Sequence, residues 1–299
     1  MPDNQTIINN NWKGTTDGGS FGINSLFFML RVFGLRTMYF FMAFAIPFYV
    51  FFRKKVRQGI MKYYQKIHGL PTSRSFFKVF KNNFLFGKMM FDRFSIMAGD
   101  RNFRIDFINN DKFWNLCEQK EGFMLGSSHI GSFELAGYMF HQDKKKINSL
   151  VFDGETAAMQ KRRIEAFAKN GITGIAVKSD MSHIFAIKNA FDNGEIVSMP
   201  CDRMLGSNKK IPVLINGVET NLPLGPFITA AQMNVKLLSV FVMREKFRHY
   251  KVFVNEISAE QNLSSKEKAR ILADSFAEEI QKILNLYPDQ WFNFYNFWD

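Results

Sequence analysis

The residues best suited to do chemistry stand in the stretch FMLGSSHIGSFELAGYMF, which spans residues 123–140. His129 follows a short apolar run, and Glu134 comes five positions later. In one continuous helix these two side chains would point about 140° apart, because each residue turns by roughly 100°. A hydrogen bond between them therefore requires a turn in the chain, and Gly131 is the residue that permits a sharp one.

The local sequence predicts a strand before His129 and a helix after it. Ser132 is a good helix cap, so His129 would lie in the connecting loop and Glu134 in the first helical turn. The carboxylate could then accept a hydrogen bond from one imidazole nitrogen and leave the other nitrogen free to take a proton. These are the base and the orienting acid of a catalytic triad without its nucleophile. A structural histidine beside a first-turn acid that the helix dipole favours is the alternative interpretation.

The other residue types that carry chemistry give weaker signals. Ser127 and Ser128 precede His129, but neither stands in the G-x-S-x-G turn of a hydrolase nucleophile. The remaining histidines show no metal-ligand spacing, so we expect no metal site. Cys117 and Cys201 are far apart in the chain, which predicts no disulfide framework and fits a reducing compartment.

The elements that must position these residues begin after residue 110, where short apolar runs alternate with helical stretches. The alternation predicts an α/β fold, with a mixed, mostly parallel sheet flanked by helices, over residues 111–299. A last helix begins at Ser264 or Ser265 and ends before Pro288. The predicted strands are 123–128, 147–152, 173–178, 195–200, 211–215, 236–243 and 250–257, and the predicted helices between them are 132–141, 155–170, 181–193 and 224–233.

The N-terminal part has a different pattern. A loose polar arm over residues 1–24 precedes a helical region, rich in aromatic and basic residues, over residues 25–110. Residues 37–52 hold no charge and are bracketed by basic residues, but they contain Pro47 and fall short of the roughly 20 apolar residues of a spanning helix. We expect this segment to lie in or dip into one leaflet, with the basic flanks at the headgroups on the cytoplasmic side. A buried core helix is the alternative.

The charge of the chain restricts its partners. The formal net charge is +12, with 39 Lys and Arg against 27 Asp and Glu. Such a balance favours nucleic acid, an anionic membrane surface or an acidic carrier protein as a partner. Nucleic acid is the least favoured of these, because the basic residues surround an apolar segment and no nucleic-acid-binding motif occurs.

Taken in order, the motifs resemble those of the bacterial lipid A biosynthesis (late) acyltransferases, within the lysophospholipid acyltransferase-like superfamily. The resemblance runs from about residue 27 to residue 298. Its motifs are GSSHIGSFE with a histidine, four residues and an acid, the segment MPCDRMLGSNKKIPVLINGVETNLPLGP, and the closing YPDQWFNFYNFWD.

The resemblance implies an enzyme of the bacterial inner membrane, on its cytoplasmic face. It would move a fatty acyl chain from acyl-carrier protein or acyl-CoA to a lipid acceptor such as lipid A or a related glycolipid, without a cofactor. His129 would be the general base and Glu134 its orienting acid. The predicted substrate-binding residues are Asp202, which would organise acceptor or oxyanion contacts, and Arg203, Arg162, Arg163 and Arg244, of which the last three could hold phosphate or the phosphopantetheine of the carrier.

Departures from the family pattern leave the acceptor open. The terminal segment usually carries a histidine and arginines, whereas this chain has Asn293, Tyr295 and Asn296 there. The loss of basic residues would suit a less phosphorylated acceptor, so an aminolipid or an aryl polyene-type product is an alternative. A lipid-binding homologue that kept the fold and lost the activity is a further one.

Overall fold

The computed structural model describes residues 19–135, 144–151, 157–178, 180, 182–203, 209–292, 294 and 298, with side chains omitted at 19–24 and 157–162. Most of the predicted N-terminal arm lies outside these residues. The helices are α1 Gly19–Phe52, α2 Lys54–His68, α3 Thr72–Met97, α4 Asp111–Glu118, α5 Ala157–Lys169, α6 Ser182–Asp192, α7 Leu224–Met233 and α8 Ser265–Leu286. The strands are β1 Arg104–Ile108, β2 Phe123–Ser127, β3 Ile147–Val151, β4 Ile172–Ala176, β5 Ile196–Pro200, β6 Lys210–Ile215, β7 Val218–Pro223, β8 Lys236–Lys246 and β9 His249–Ile257.

The main sheet has seven strands in the order β1-β9-β8-β2-β5-β3-β4. The strands from β8 to β4 run parallel to one another, whereas β9 is antiparallel to β8 and β1 is parallel to β9. Helices flank this sheet, so the predicted mixed, mostly parallel α/β fold is confirmed. Every residue of the central strand β2 is buried, as expected for a strand covered on both faces.

The remaining elements close the core around this sheet. The last helix, α8, buries an apolar stripe that includes Leu272, Phe276 and Ile280. A capping box begins this helix: Ser264 Oγ accepts a hydrogen bond from the Glu267 backbone N–H, and the Glu267 carboxylate accepts one from the Ser264 backbone N–H. A separate β6–β7 hairpin, turned at residues 216–217, packs against the same helix. The five-residue strand β1 lies in a stretch predicted as helical, and that part of the prediction is wrong.

The N-terminal helices form a layer of their own against the α/β domain. In the described part of the chain, one helix is long and apolar enough to cross a membrane: Ser25–Phe52, of 28 residues, in which an 18-residue stretch has a mean hydropathy of 1.5 and 17% of its residues buried. It extends past the charge-free run of residues 37–52, because apolar residues also flank Arg31 and Arg36. Most of its aromatic side chains face outward, so it is no core helix; it is apolar enough to be membrane-associated.

Candidate active site

The register of β2 and β5 brings His129 and Asp202 together. These strands are parallel neighbours, and Ser127 of β2 is opposite Pro200 of β5. His129 stands two residues after Ser127, and Asp202 two residues after Pro200. Both lie at the carboxyl ends of adjacent strands, where α/β folds commonly build their sites. His129 Nδ1 lies 2.8 Å from Asp202 Oδ1, and the His129 backbone N–H donates to Asp202 Oδ2 at 2.7 Å. One carboxylate thus holds both the ring and the main chain of the histidine.

The electrostatics of this pair suit a neutral imidazole beside an ionised carboxylate. Burial lowers the pKa of His129 below its usual value, against the opposing charge of Asp202 and with the help of the Arg203 charge. Burial alone would raise the pKa of Asp202, but its interactions with His129, which include hydrogen bonds from the ring and from the backbone N–H, hold it below its usual value together with the Arg203 charge. A neutral ring that donates from Nδ1 carries its lone pair on Nε2, and no residue in the described ranges hydrogen-bonds Nε2.

Glu134 lies elsewhere. Its carboxylate forms an ion pair with the buried Arg93 of α3 and makes no hydrogen bond to His129 among the described contacts. The prediction that Glu134 accepts from the imidazole is therefore wrong in this structure, because the β2–β5 register gives that position to Asp202. The prediction for Asp202 as a substrate contact changes with it: the carboxylate is turned onto His129. A direct catalytic role for Glu134 stays a prediction.

Gly131 makes the turn after His129, as the sequence predicts. Its φ is +69°, in the left-handed region that favours glycine. A Cβ at this position would lie 2.2 Å from the Val242 backbone oxygen on β8. The turn is therefore closed by backbone on the β8 side, and the next N–H, that of Ser132, donates to the same Val242 oxygen at 2.8 Å.

The loop that carries His129 is also held by residues 287–292, which we call the C-terminal strap. The Gly131 N–H donates to the Gln290 backbone oxygen at 2.7 Å, and the Phe292 N–H donates to the His129 backbone oxygen at 3.1 Å. Ile130 and Trp291 form an antiparallel bridge between these two bonds. The strap thus adds a short strand to the loop that carries His129. The sequence signal for it was the closing YPDQWF motif, to which no structural role could be given from the sequence alone.

The same strap is tied to the helical layer. The side-chain Nδ2 of Asn82 on α3 donates to the backbone oxygens of both Asp289 and Trp291, at 3.1 and 3.0 Å. The Asp289 carboxylate pairs with Lys78 and Lys81 and accepts from Tyr64 of α2. Burial alone would raise the pKa of Asp289, but these three partners hold it below its usual value. The loop that carries His129 is therefore braced through the strap against α2 and α3.

Arg244, predicted to bind phosphate, sits inside the protein. The Arg244 Nε donates to Asp92 at 3.0 Å. The Gln290 side chain accepts from the Arg244 backbone N–H and donates to the Arg244 backbone oxygen. Asp92 also accepts hydrogen bonds from Tyr250 and Tyr39, so it links α1, α3, β8 and β9. This geometry gives Arg244 an internal partner, and a contact with substrate stays a prediction.

The other predicted arginines are spread over two regions. Arg203 lies next to Asp202, is half-buried, and donates from Nη2 to the Phe292 oxygen at 3.1 Å. Arg163 is on α5 with a half-buried side chain. The side chain of Arg162 lies outside the described residues, so the structure does not place it. Of the predicted substrate-binding residues, Asp202 and Arg203 are therefore the two that the structure brings to His129.

The described residues also form a cleft away from His129. The cleft, of about 520 Å³, lies between α6 and the strands β3 and β4 and does not include His129 among its lining residues. In the described part of the chain, no three His, Cys, Asp or Glu side chains are grouped as metal ligands. Among the described residues, the His129–Asp202 pair is therefore the candidate for the chemistry.

Comparison with known proteins identifies the relatives of this chain. A family model described as bacterial lipid A biosynthesis acyltransferase matches residues 81–299. No curated protein matches the sequence. Among solved structures, the chain is similar to the 1-acyl-sn-glycerophosphate (LPA) acyltransferase PlsC from Thermotoga maritima, with 13% identity, a TM-score of 0.38, and coverage of 89% of this chain and 95% of that one.

Proposed function

Because the chain belongs to the bacterial lipid A biosynthesis acyltransferase family, we propose that it transfers a fatty acyl chain from a thioester donor to a lipid acceptor with His129 as general base. The observation that carries this proposal is the hydrogen-bonded His129–Asp202 pair at the carboxyl ends of β2 and β5. Histidine is the commonest general base in enzymes, and a well-placed one contributes roughly 10²–10⁴-fold in rate.

The proposed reaction needs no covalent enzyme intermediate. His129 Nε2 takes the proton of an acceptor hydroxyl or amine as that group attacks the thioester carbonyl. The tetrahedral intermediate then collapses, the carbon–sulfur bond breaks, and the imidazolium returns the proton to the leaving thiolate. The products are the acylated acceptor and the free thiol of the donor.

Asp202 would orient the base and stabilise its charged form. Its carboxylate fixes the proton of the neutral ring on Nδ1, which turns the Nε2 lone pair toward the acceptor. When Nε2 is protonated, the buried negative charge 2.8 Å from Nδ1 favours the imidazolium. Arg203, whose charge acts on both members of the pair, is the proposed contact for the developing oxyanion or a donor phosphate.

Glu134 has a more distant proposed role. Its ion pair with Arg93 fixes the first turn after the loop that carries His129, here called the catalytic loop, against α3. Arg93 is 8% exposed. An unpaired buried arginine is costly, so this ion pair holds the loop to the helical layer. Glu134 would then support the position of His129 and not its proton transfer.

The donor and acceptor are proposals that rest on the family. Acyl-carrier protein is the proposed donor, with acyl-CoA as the alternative, and no cofactor takes part. Lipid A or a related glycolipid is the proposed acceptor, and an aminolipid or an aryl polyene-type product is the alternative. Arg162, Arg163 and Arg244 are the proposed phosphate contacts. The proposed location is the cytoplasmic face of the bacterial inner membrane, to which α1 attaches the protein.

The function is tested by comparing whole lipid extracts, by mass spectrometry, from cells that carry the wild-type chain, His129→Ala or His183→Ala. His183 is half-buried on α6, away from Asp202, and serves as the matched control. We expect one lipid class to lose a single acyl chain in His129→Ala alone, and the mass difference identifies the chain. A wild-type extract that equals the His129→Ala extract would support the non-catalytic homologue instead. Purified protein incubated with acyl-carrier protein or acyl-CoA thioesters then decides the donor.

A further inference from the structure

The basic residues of the chain are concentrated in its helical layer. Residues 18–91 contain twelve Lys and Arg residues and no Asp or Glu, and the formal net charge of the whole chain is +12. Residues 92–299, which include the sheet and the His129–Asp202 pair, are close to neutral. The excess positive charge therefore lies on α1, α2 and α3, and any partner that responds to it meets these helices.

One end of this layer combines the positive charge with exposed aromatic rings. Phe51, near the end of α1, has its ring centroid 6.4 Å from that of Phe76 and 6.0 Å from that of Phe80, both on α3. The end of α1 is thus packed against the start of α3. Two neighbouring rings are left in the open, since Phe52 is 82% and Phe77 71% exposed.

Basic side chains surround these rings. Arg53 connects α1 to α2, and Lys54 and Lys55 are the first two residues of α2. Arg74 stands in the first turn of α3, next to the Phe76–Phe77 pair, and all four basic residues are exposed. Within the described residues, no carboxylate pairs with Lys54, Lys55 or Arg74. We call Phe52, Arg53, Lys54, Lys55, Arg74 and Phe77 the aromatic–basic corner.

We propose that the aromatic–basic corner is a second membrane contact, which binds the headgroup region of an anionic bilayer beside α1. Aromatic rings favour the boundary between headgroups and acyl chains, and basic residues near the surface are attracted to anionic lipid. An acidic protein could match the charge, but the corner continues the exposed aromatic face of α1, where Phe44 is 61% and Phe48 67% exposed. A bilayer takes up both the rings and the charge.

The proposal rests on the membrane association in the proposed function and adds α3 to the membrane-facing surface. Its test is tryptophan fluorescence of the full chain in vesicles of phosphatidylglycerol and phosphatidylcholine with brominated acyl chains, which quench tryptophan on contact. Three variants are compared with the wild type: Phe44→Trp on α1, Phe77→Trp in the corner, and Phe185→Trp on α6. Phe185 is 73% exposed and so matches Phe77 in exposure. We expect the added fluorescence to be quenched at positions 44 and 77 and unquenched at 185.

The three positions separate the possible failures. Quenching at 44 without quenching at 77 would overturn the corner and leave the proposed function standing. No quenching at 44 or 77 would overturn the corner together with the membrane association. Acyl transfer by the same variants, measured in detergent, reports the proposed chemistry independently of either result.

A charge reversal tests the anionic preference. Arg74→Glu and Lys112→Glu change the net charge equally, and both positions are exposed in the first turn of a helix, where an acid is tolerated. We expect Arg74→Glu to weaken binding to phosphatidylglycerol vesicles by about tenfold or more, and Lys112→Glu to leave it unchanged. Equal losses would reduce the effect to net charge and overturn the corner. A raised KM for the carrier-linked donor with unchanged vesicle binding would assign the surface to the carrier and overturn it as well.

Discussion

At the scale of single residues, the candidate site depends on which carboxylate reaches the imidazole. Glu134 is the nearer acid in sequence, but it pairs with Arg93, and Asp202 holds Nδ1 at 2.8 Å. The pair leaves Nε2 as the basic nitrogen of a ring whose pKa is below its usual value because of burial. His129 is therefore neutral, and able to accept a proton, throughout the neutral pH range.

The pH dependence of acyl transfer follows from that shift. The base works only when neutral, so kcat/KM should be flat near pH 7 and fall as the pH drops through the pKa of His129, at a midpoint below 6.5. The measurement is kcat/KM against pH with a short-chain thioester whose own hydrolysis is subtracted. A midpoint clearly above 6.5 would contradict a neutral, buried base.

Asp202→Asn tests the orienting carboxylate. Asparagine keeps the size of the side chain but removes the negative charge and allows the amide to donate to Nδ1, which favours the wrong ring tautomer. We expect kcat to fall by about 10²-fold or more and the midpoint of the pH profile to move further down, because Asp202 supports the charged ring. Glu134→Gln is the matched comparison. If it lost as much activity as Asp202→Asn with the pH profile displaced in the same way, the assignment of the two carboxylates would be reversed.

At the scale of secondary-structure elements, the strand and the turn around His129 could be predicted from sequence because their signals are local. The predicted helix 132–141 lies outside the described residues from residue 136 on. An apolar run, Gly131 and Ser132 lie within a few residues of one another. The partnership with Asp202 could not be predicted, because β5 lies beside β2 in the sheet although β3 and β4 come between them in sequence. Strand order depends on packing across the whole domain. The short strand β1 was missed although residues 104–107 alternate polar and apolar as a half-buried strand does, because a strand of only five residues gives a weak signal at the end of a long helical region.

Gln290 gives the sharpest element-scale prediction, since it joins the C-terminal strap to β8. Gln290→Ala removes two side-chain hydrogen bonds, at 2.9 and 2.8 Å, to the Arg244 main chain. We expect kcat to fall by about tenfold or more with little change in KM, because a small displacement of the catalytic loop is enough to misplace the base. Gln290→Glu keeps one acceptor and should recover part of the activity. If activity followed only the folded fraction measured by circular dichroism, the strap would have no positioning role.

At the scale of the whole molecule, an apolar, basic helical layer is docked on a nearly neutral α/β domain. The distribution of charge changes how the net charge of +12 is interpreted, because that charge lies on α1, α2 and α3 and gives little support for an acidic carrier that docks near His129. The two parts are joined at Asp92, which accepts from Tyr39 of α1 and Tyr250 of β9 and pairs with Arg244.

Tyr39→Phe tests this junction. The variant removes one donor to a fully buried carboxylate, and a lost hydrogen bond to a charged group costs about 1.5–3 kcal/mol. We expect a lower melting temperature in detergent, followed by circular dichroism. Tyr49→Phe, at a ring that is 44% exposed on the same helix, is the control and should melt like the wild type. Identical melting of the two variants would show that the Asp92 junction does not hold the layers together.

The separation of His129 and Asp202 along the chain has a consequence for folding. Their hydrogen bond joins residues 73 positions apart, and β3, α5, β4 and α6 all lie between them in sequence. Contacts of such high sequence separation form late, since the intervening chain must be ordered first. A chain that has reached the membrane through α1 but has not completed its sheet therefore lacks an oriented base. Under the proposed function, acyl transfer therefore begins only after the sheet is complete.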